Sequence, residues 1–488
     1  MDLVNEFSVD RPARDVFAYL TAVELTPEWN RNVHSSRLLT PGPVRRGATF
    51  EEARNTVRGL HRESFEVVEF EPDRRFGVAA ADGSDFTWQY DLRDRGSRTE
   101  VTTRLTIPLT RRMPFLDPLV APIARRRFAS NMRHLQTRIA GGPGVAIDRL
   151  ERVHLGGSEQ WILLRGRDRS RPVVLVIGQG PGYPTINEAH DLRRLLGLEN
   201  DHVVVYWDQR GCGKSTTMAA SSLSVGQMRD DAAALINILC ERFGQRQIHV
   251  IGYSQGGAIA ALVAAAMPDR IAGVVLVNPD VRAAEGDASA YAFALREATA
   301  RGNSPALRDL ARIGPPPHLE ARQFTTRARW TADFGGVRRG ATYRSLLGAQ
   351  LRQLATSRAY SPLDLQRAIR AIPGTQNALL PDLVKIDLFD SVPRLEVPVS
   401  VFLGRHDQVA PPELTKRYFD ALEAARGKNL TWFEGSAHMP QYEEPAAFRA
   451  ALDTAFDAFR RAIDERSQED LESWFEQAPR RSPEPGTS

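Results

Sequence analysis

Ile248-His-Val-Ile-Gly252-Tyr-Ser254-Gln-Gly256-Gly-Ala-Ile-Ala-Ala261 reads as a strand, a tight bend and a helix in immediate succession. The apolar run from His249 to Gly252 predicts a buried strand, and the small-residue run from Gly257 predicts a helix packed close to it. Between them, Gly252-Tyr-Ser254-Gln-Gly256 has the G-x-S-x-G spacing, which puts a serine at a sharp, strained turn between residues small enough to let strand and helix approach. Ser254 is therefore the candidate nucleophile. A serine hydroxyl reacts poorly until a base takes its proton and a third group orients that base, so the remaining chain must supply a histidine and an acid.

Working outward, apolar strand runs alternate with helical segments from residue 149 to about 465, the pattern of a mostly parallel sheet wrapped by helices. The predicted strands are 159–164, 173–177, 203–207, 249–252, 273–277, 399–403 and 429–433. From about 282 to 390 the strands stop and helical, Arg-rich sequence takes over, which reads as a lid. In this chain order the acid follows a late strand and the histidine comes near the end. Asp407 in Gly404-Arg-His-Asp407 and His438 in Gly435-Ser-Ala-His438 meet that requirement. Three competitors stand nearby. His406 is adjacent to Asp407 and so points elsewhere if Asp407 faces the site, Asp280 is a rival acid just after the 273–277 strand, and Glu434 reads as solvent-facing.

Hydrolysis through a tetrahedral intermediate also needs two amide donors for its oxyanion. The residue after the nucleophile, Gln255, offers one, and Gln179 or Gly180 in the loop Ile177-Gly-Gln-Gly-Pro-Gly182 offers the other. Gly211-Cys-Gly-Lys214-Ser215 ends like a phosphate-binding loop, but the required first glycine is replaced by Asp208 and the motif fails. Asp208 and Arg210 read as braces of the loop, and Cys212 as structural.

With Gly180-Pro-Gly, Trp207-Asp-Gln-Arg-Gly-Cys-Gly-Lys-Ser215, Gly252-Tyr-Ser-Gln-Gly256, Gly404-Arg-His-Asp407 and Gly435-Ser-Ala-His438 in place, residues 150–460 resemble the α/β-hydrolase superfamily and its proline iminopeptidase branch. The Asp-Gln-Arg-Gly-x-Gly-x-Ser element is the more specific part. The resemblance implies that Ser254 is the nucleophile, His438 the general base and then acid, and Asp407 the orienting carboxylate. Two departures stand out. Gly178 and Gln179 occupy positions where the branch has His and Gly, and no motif for its amine-recognising acidic lid residues is found between Ala283 and Leu380.

Before the hydrolase-like region, alternating runs such as 63–70, 87–92 and 100–107 predict an antiparallel sheet, with helices at 13–20 and 122–139, the latter with Ile123, Phe128, Met132 and Leu135 as its apolar positions. The opening Val4-Asn-Glu-Phe-Ser-Val-Asp-Arg-Pro, Pro27-Glu-Trp-Asn30 and the closing helix resemble the START-like superfamily (SRPBCC or polyketide cyclase proteins) over 1–140. That resemblance implies an α+β helix-grip domain whose cavity takes an apolar ligand. His34 and Trp88 are the residues weighed for its wall, and no catalytic site is assigned there. Residues 141–148, with Gly141-Gly-Pro-Gly144, read as a linker, and 466–488 as a polar, disordered tail.

Composition bounds the function classes. The 64 basic and 60 acidic side chains leave +4 without forming a block, which gives no warrant for nucleic-acid binding. Two cysteines cannot form a disulfide framework, and the Met1-Asp-Leu-Val-Asn-Glu start lacks the basic opening of a secretory signal, so a cytoplasmic protein is expected. Gly256 to Met267 is too short to span a bilayer. No metal or cofactor is expected. The reading is a serine hydrolase acting on an amide or ester of a small molecule or short peptide, with an N-terminal ligand-binding domain. An esterase or thioesterase of a small or lipidic metabolite is the alternative, and a non-catalytic metabolite-binding protein on a hydrolase scaffold is the rival from another class.

Overall fold

The chain divides into two units, Met1–Ile147 and Asp148–Ser488. The structure is a computed structural model that describes residues 1–30, 32–56, 59–107, 117–140, 146–216 and 223–477. In the first unit, strands β1 (Asp2–Val9), β2 (Val33–Leu38), β3 (Thr49–Thr56), β4 (Gly59–Glu71), β5 (Arg75–Ala80), β6 (Thr87–Asp94) and β7 (Thr99–Thr106) form one antiparallel sheet in the order β1-β7-β6-β5-β4-β3-β2. Alternation makes this sheet two-faced. In β7 every second residue is buried, so Val101, Thr103 and Leu105 point inward while Glu100 and Arg104 stay in water.

Helices α1 (Ala13–Thr21) and α2 (Thr26–Trp29) follow the first strand, and α3 (Asp117–Ala140) closes the unit. Phe128, Met132 and Leu135, three of the apolar positions expected on α3, are buried in one cluster with Trp88, Tyr90 and Leu105 of the sheet. The side chain of Ile123, the fourth, lies outside the described residues, as does that of His34. Trp88 is buried and also lines a cavity of about 890 Å³ with Phe65, Phe86 and Phe128.

The second unit carries β8 (Ile147–Leu155), β9 (Ser158–Gly166), β10 (Val173–Ile177), β11 (Val203–Asp208), β12 (Ile248–Tyr253), β13 (Ile271–Val277), β15 (Val399–Gly404) and β17 (Lys428–Phe433) in the order β17-β15-β13-β12-β10-β11-β9-β8. A separate parallel pair joins β14 (Arg394–Leu395) to β16 (Glu423–Ala424). Strands β11, β10, β12, β13, β15 and β17 run parallel, and β9 pairs antiparallel to β11. Every residue of β10, β12 and β13 is buried, as expected for strands covered on both faces. This is the expected mostly parallel, helix-wrapped fold.

Helices α4 (Ala189–Leu196), α5 (Val225–Phe243) and α6 (Gln255–Ala266) connect the strands. The helical stretch expected as a lid contains α7 (Ala283–Ala300), α8 (Ser304–Ile313), α9 (Ala321–Asp333), α10 (Tyr343–Thr356), α11 (Pro362–Leu383) and α12 (Leu388–Ser391). Helix α13 (Pro412–Ala421) follows β15, and α14 (Pro440–Glu443) and α15 (Pro445–Gln477) follow β17. Two expectations change. Strand β8 begins within the stretch read as linker, of which 141–145 lies outside the described residues. Helix α15 continues to Gln477, past the expected start of a tail at 466, and 478–488 lies outside the described residues. Among the described residues no helix is long and apolar enough to cross a membrane.

Strand β10 lies between β11 and β12, so the connections leaving β10 and β12 run to opposite sides of the sheet. A crevice opens beyond the carboxyl ends of two strands at such a reversal. The loop 178–182 and the bend at Ser254 border it.

Candidate functional site

Ser254 caps the amino end of α6 with φ 54° and ψ −120°, in a region of backbone conformation that L-residues rarely occupy. Its N–H donates to the carbonyl of Val277 at 2.9 Å, and its own carbonyl accepts from Gly257 at 2.8 Å, which holds the bend from both sides. The flanking glycines are needed for space. A Cβ at Gly252 would lie 2.3 Å from the carbonyl oxygen of Gly256, and one at Gly256 would lie 2.3 Å from that of Ile177. Any larger residue would separate α6 from the ends of β10 and β12.

Asp407 and His438 lie beyond the neighbouring ends of β15 and β17, and the structure brings them together. His438 Nδ1 and Asp407 Oδ2 are 2.7 Å apart. Asp407 is fully buried, and its other oxygen accepts the N–H groups of Val409 (2.7 Å) and Ala410 (3.1 Å), which fixes the carboxylate's orientation. Burial alone would push the His438 imidazole down, but the charge of Asp407 and its hydrogen bond outweigh that, and the net shift is upward. With Nδ1 taken by Asp407, Nε2 is the ring atom left to exchange a proton. The close approach of the two loops depends on Gly404, where a Cβ would sit 1.8 Å from the carbonyl oxygen of Ala437.

The competitors separate cleanly. His406 is exposed, and Glu434 pairs with Arg405 at 2.6 Å on the surface. Asp280 donates its backbone N–H to the carbonyl of Ser254 at 3.2 Å, while the bond to the imidazole comes from Asp407. Burial pushes the Asp280 carboxyl up to about 6.

Asn278 is a residue the motifs did not point to. It follows β13 at φ 43°, a conformation Asn tolerates better than most side chains. Its Nδ2 donates to the carbonyls of Ala437 (3.3 Å) and His438 (3.1 Å), and its Oδ1 accepts the N–H of Gly404 at 2.9 Å. One buried side chain therefore ties the acid loop to the histidine loop. The lid adds a strap from the other side, where the N–H of His438 donates to Val337 (2.9 Å) and that of Gln408 to Gly336 (3.0 Å). The only sequence signal was an Asn-Pro pair directly after a buried strand.

Gln255 is the first residue of α6, so its N–H has no partner within the helix and sits at the positive end of the helix dipole. Gly180 packs against it, since a Cβ there would lie 2.0 Å from Gln255 Oε1. Gln179 turns its side chain to Glu188 at 3.4 Å. Ser254, Gln179 and Gly180 line one cavity with His438.

The Asp-Gln-Arg-Gly-x-Gly-x-Ser element braces this arrangement, as expected of Asp208 and Arg210. Asp208 Oδ1 accepts the N–H groups of Thr185 (2.9 Å) and Ile186 (3.0 Å), and Oδ2 accepts that of Lys214 (2.8 Å) and the hydroxyl of Tyr360. Arg210 is buried against Asp231 through bonds of 2.7 and 2.8 Å and donates to the carbonyls of Leu155 and Gly156. Lys214 reaches Asp364 of α11 at 2.6 Å. Burial pushes the Cys212 thiol up to about 12, which keeps it protonated and unreactive.

The cavity measures about 750 Å³ and lies between the sheet ends and α9, α10 and α11. One acid of its wall was not anticipated. Glu188 accepts from the Tyr442 hydroxyl at 3.0 Å and from Gln179, and burial nevertheless pushes its carboxyl up to about 7. An alcohol at a strained bend, an imidazole oriented by a buried carboxylate and a helix-end amide can together support proton transfer and addition to a carbonyl.

Both units resemble known proteins. The family described as alpha/beta hydrolase fold matches residues 172–445, and the family described as polyketide cyclase / dehydrase and lipid transport matches 2–140. The probable aminopeptidase YbaC of Bacillus subtilis (strain 168) is 28% identical over 307 residues, covering 62% of this chain and 94% of its own. A proline iminopeptidase of Heyndrickxia coagulans is 21% identical over 291 residues, covering 57% and 88%. The solved proline iminopeptidase of Mycobacterium smegmatis aligns with 65% of this chain and 100% of its own at 19% identity and a TM-score of 0.43.

Proposed function

Because the chain belongs to the α/β-hydrolase fold family, we propose that it cleaves an ester or amide through an acyl-enzyme on Ser254. His438 takes the serine proton and later returns it to the leaving group, and Asp407 holds the imidazole in the tautomer that leaves Nε2 free. The addition places negative charge on the carbonyl oxygen, which the N–H of Gln255 and one from Gln179 or Gly180 receive. Water, deprotonated by His438, then releases the acid and restores Ser254.

The observation that carries this reading is the 2.7 Å bond between His438 and a fully buried Asp407, from loops after two different strands, on a cavity wall shared with the strained Ser254. A structural histidine has no need of either feature. The names of the relatives favour an aminopeptidase-like member of the family. For the N-terminal unit, the cavity walled by Phe65, Phe86, Trp88 and Phe128 supports an accessory role in holding an apolar small molecule.

A direct test is covalent labelling. A fluorophosphonate probe is expected to modify Ser254 in the full chain, and Ser254→Ala is expected to lose both labelling and turnover of a p-nitrophenyl ester. Ester hydrolysis at the original rate by Ser254→Ala overturns the proposal.

A further inference from the structure

Four arginines, Arg194, Arg322, Arg338 and Arg352, are among the residues that line the cavity shared by Ser254 and His438. Arg194, Arg322 and Arg352 are exposed, which places them at its mouth. Among the described residues no carboxylate lies within ion-pair distance of these three. The wall holds two acids against these four arginines: Glu188, bonded by Tyr442 and Gln179, and Asp191, bonded by Gln353 Nε2 at 2.8 Å, so the lining carries a net positive charge. Most of the remaining wall is apolar, with Leu195, Phe324, Leu346, Leu347, Ile369 and Ile372 among it.

This distribution has a chemical consequence. A cationic group entering the mouth would meet uncompensated positive charge, whereas an anionic group would be drawn in and held. The apolar wall behind it would bury hydrocarbon and gain from its removal from water. We propose that the cavity selects acyl groups of mixed character, apolar along their length and carrying an anionic group at the end remote from the scissile carbonyl. Arg194, Arg322 and Arg352 receive that anion while the carbonyl reaches Ser254. The inference rests on the acyl-enzyme reading and narrows its substrate class, and it runs against the aminopeptidase-like specificity that the relatives' names favour, because the charge it selects is an anion and not a free ammonium.

The test varies charge at one place. The full chain is assayed with mono-p-nitrophenyl esters of glutaric, adipic and suberic acids, with uncharged p-nitrophenyl esters of matching chain length, and with the ω-ammonium ester of 6-aminohexanoic acid. We expect kcat/KM for the best anionic ester to exceed that of its uncharged counterpart by about tenfold at low ionic strength, with the ammonium ester slowest and the advantage shrinking as NaCl is added. The variant R194Q/R322Q/R352Q, built at exposed positions, should bring the anionic-to-neutral ratio toward one. Equal rates, a faster ammonium ester, or an unchanged ratio in the variant overturns the proposal.

Failure of the underlying acyl-enzyme reading looks different, because Ser254→Ala would then match the parent or no ester would turn over. Calorimetric binding of octanoate against octylammonium, in the full chain and in the triple variant, still reads the charge preference in that case. A preference for octanoate that the triple variant loses supports the inference, and equal affinities or an unaffected preference refutes it.

Discussion

Gly256→Ala adds one methyl group at a crowded point of the candidate site, where backbone lies on two sides. The new Cβ would lie 2.3 Å from the carbonyl oxygen of Ile177 and 2.4 Å from that of Gly178, against an ordinary contact distance of 3.4 Å or more. Helix α6 must therefore back away from the end of β10 by about 1 Å, or the loop after β10 must yield by a similar amount. Strand β10 is buried between β11 and β12 and has little room to move. If α6 moves, Ser254 and the N–H of Gln255 travel with it. If the loop moves, Gln179 and Gly180 leave the position proposed for the oxyanion.

Either displacement is of the size that costs about 100-fold in rate, because reacting groups tolerate little misplacement. Overpacking should also cost about 1–3 kcal/mol of stability. The assay is kcat/KM on whichever p-nitrophenyl ester the parent turns over best, together with the rate of fluorophosphonate labelling and the melting temperature. Gly226→Ala is the control, since a Cβ there meets nothing within 4 Å. It should keep full activity and melt no lower than the parent. A Gly256→Ala protein with kcat/KM within twofold of the parent would refute the claim that this contact sets the site's geometry.

The remaining expectations concern charge. His438 is shifted above 6.5 and is useful as a base only when neutral, so kcat/KM should fall as the pH drops through an apparent value higher than 6.5. Asp407→Asn removes the charge that opposes burial, so the limb should move to lower pH while kcat falls by about 10⁴-fold, and a pH-rate profile that leaves the limb in place would exclude the pairing. Glu188 titrates at about 7 in the folded chain against 4.5 otherwise, so between those values the native state holds a proton the unfolded state has released, and stability declines as pH rises through that window. Glu188→Gln should therefore raise the melting temperature at about pH 8 and leave it nearly unchanged at about pH 4, with a gain of at most about 3 kcal/mol before the lost Tyr442 bond is counted. Arg210→Met strands the buried charge of Asp231 and should destabilise the hydrolase unit by about 3–5 kcal/mol in urea unfolding, and a cost under about 1 kcal/mol would contradict the brace.

What could be read in advance follows the range over which each feature is determined. The central strands were legible because a strand buried on both faces needs a continuous apolar run, and the expected 173–177 strand coincides with β10. Strand β8 was not, because at the sheet edge only Ile147 and Leu155 are buried and the charged residues among those between them leave no apolar run to mark a strand. The same contrast governs the chemistry. Ser254 announces itself because its strained backbone demands small neighbours within two positions, and Asp407 and His438 because their loops follow strands in a fixed chain order. Asn278 and Glu188 act through partners that are distant in sequence: Asn278 bonds His438 across 160 positions and Tyr442 bonds Glu188 across 254. No local pattern encodes such a convergence. For the same reason the cationic mouth of the cavity was invisible, since Arg194 comes from α4 while Arg322 and Arg352 come from α9 and α10, and a chain with so many dispersed arginines gives no hint of which ones will meet. The specificity proposed for this chain thus rests on tertiary placement of ordinary surface residues, while its candidate bond-breaking groups are written in short motifs. Substitutions at the mouth should accordingly change which substrate is cleaved without disturbing how it is cleaved.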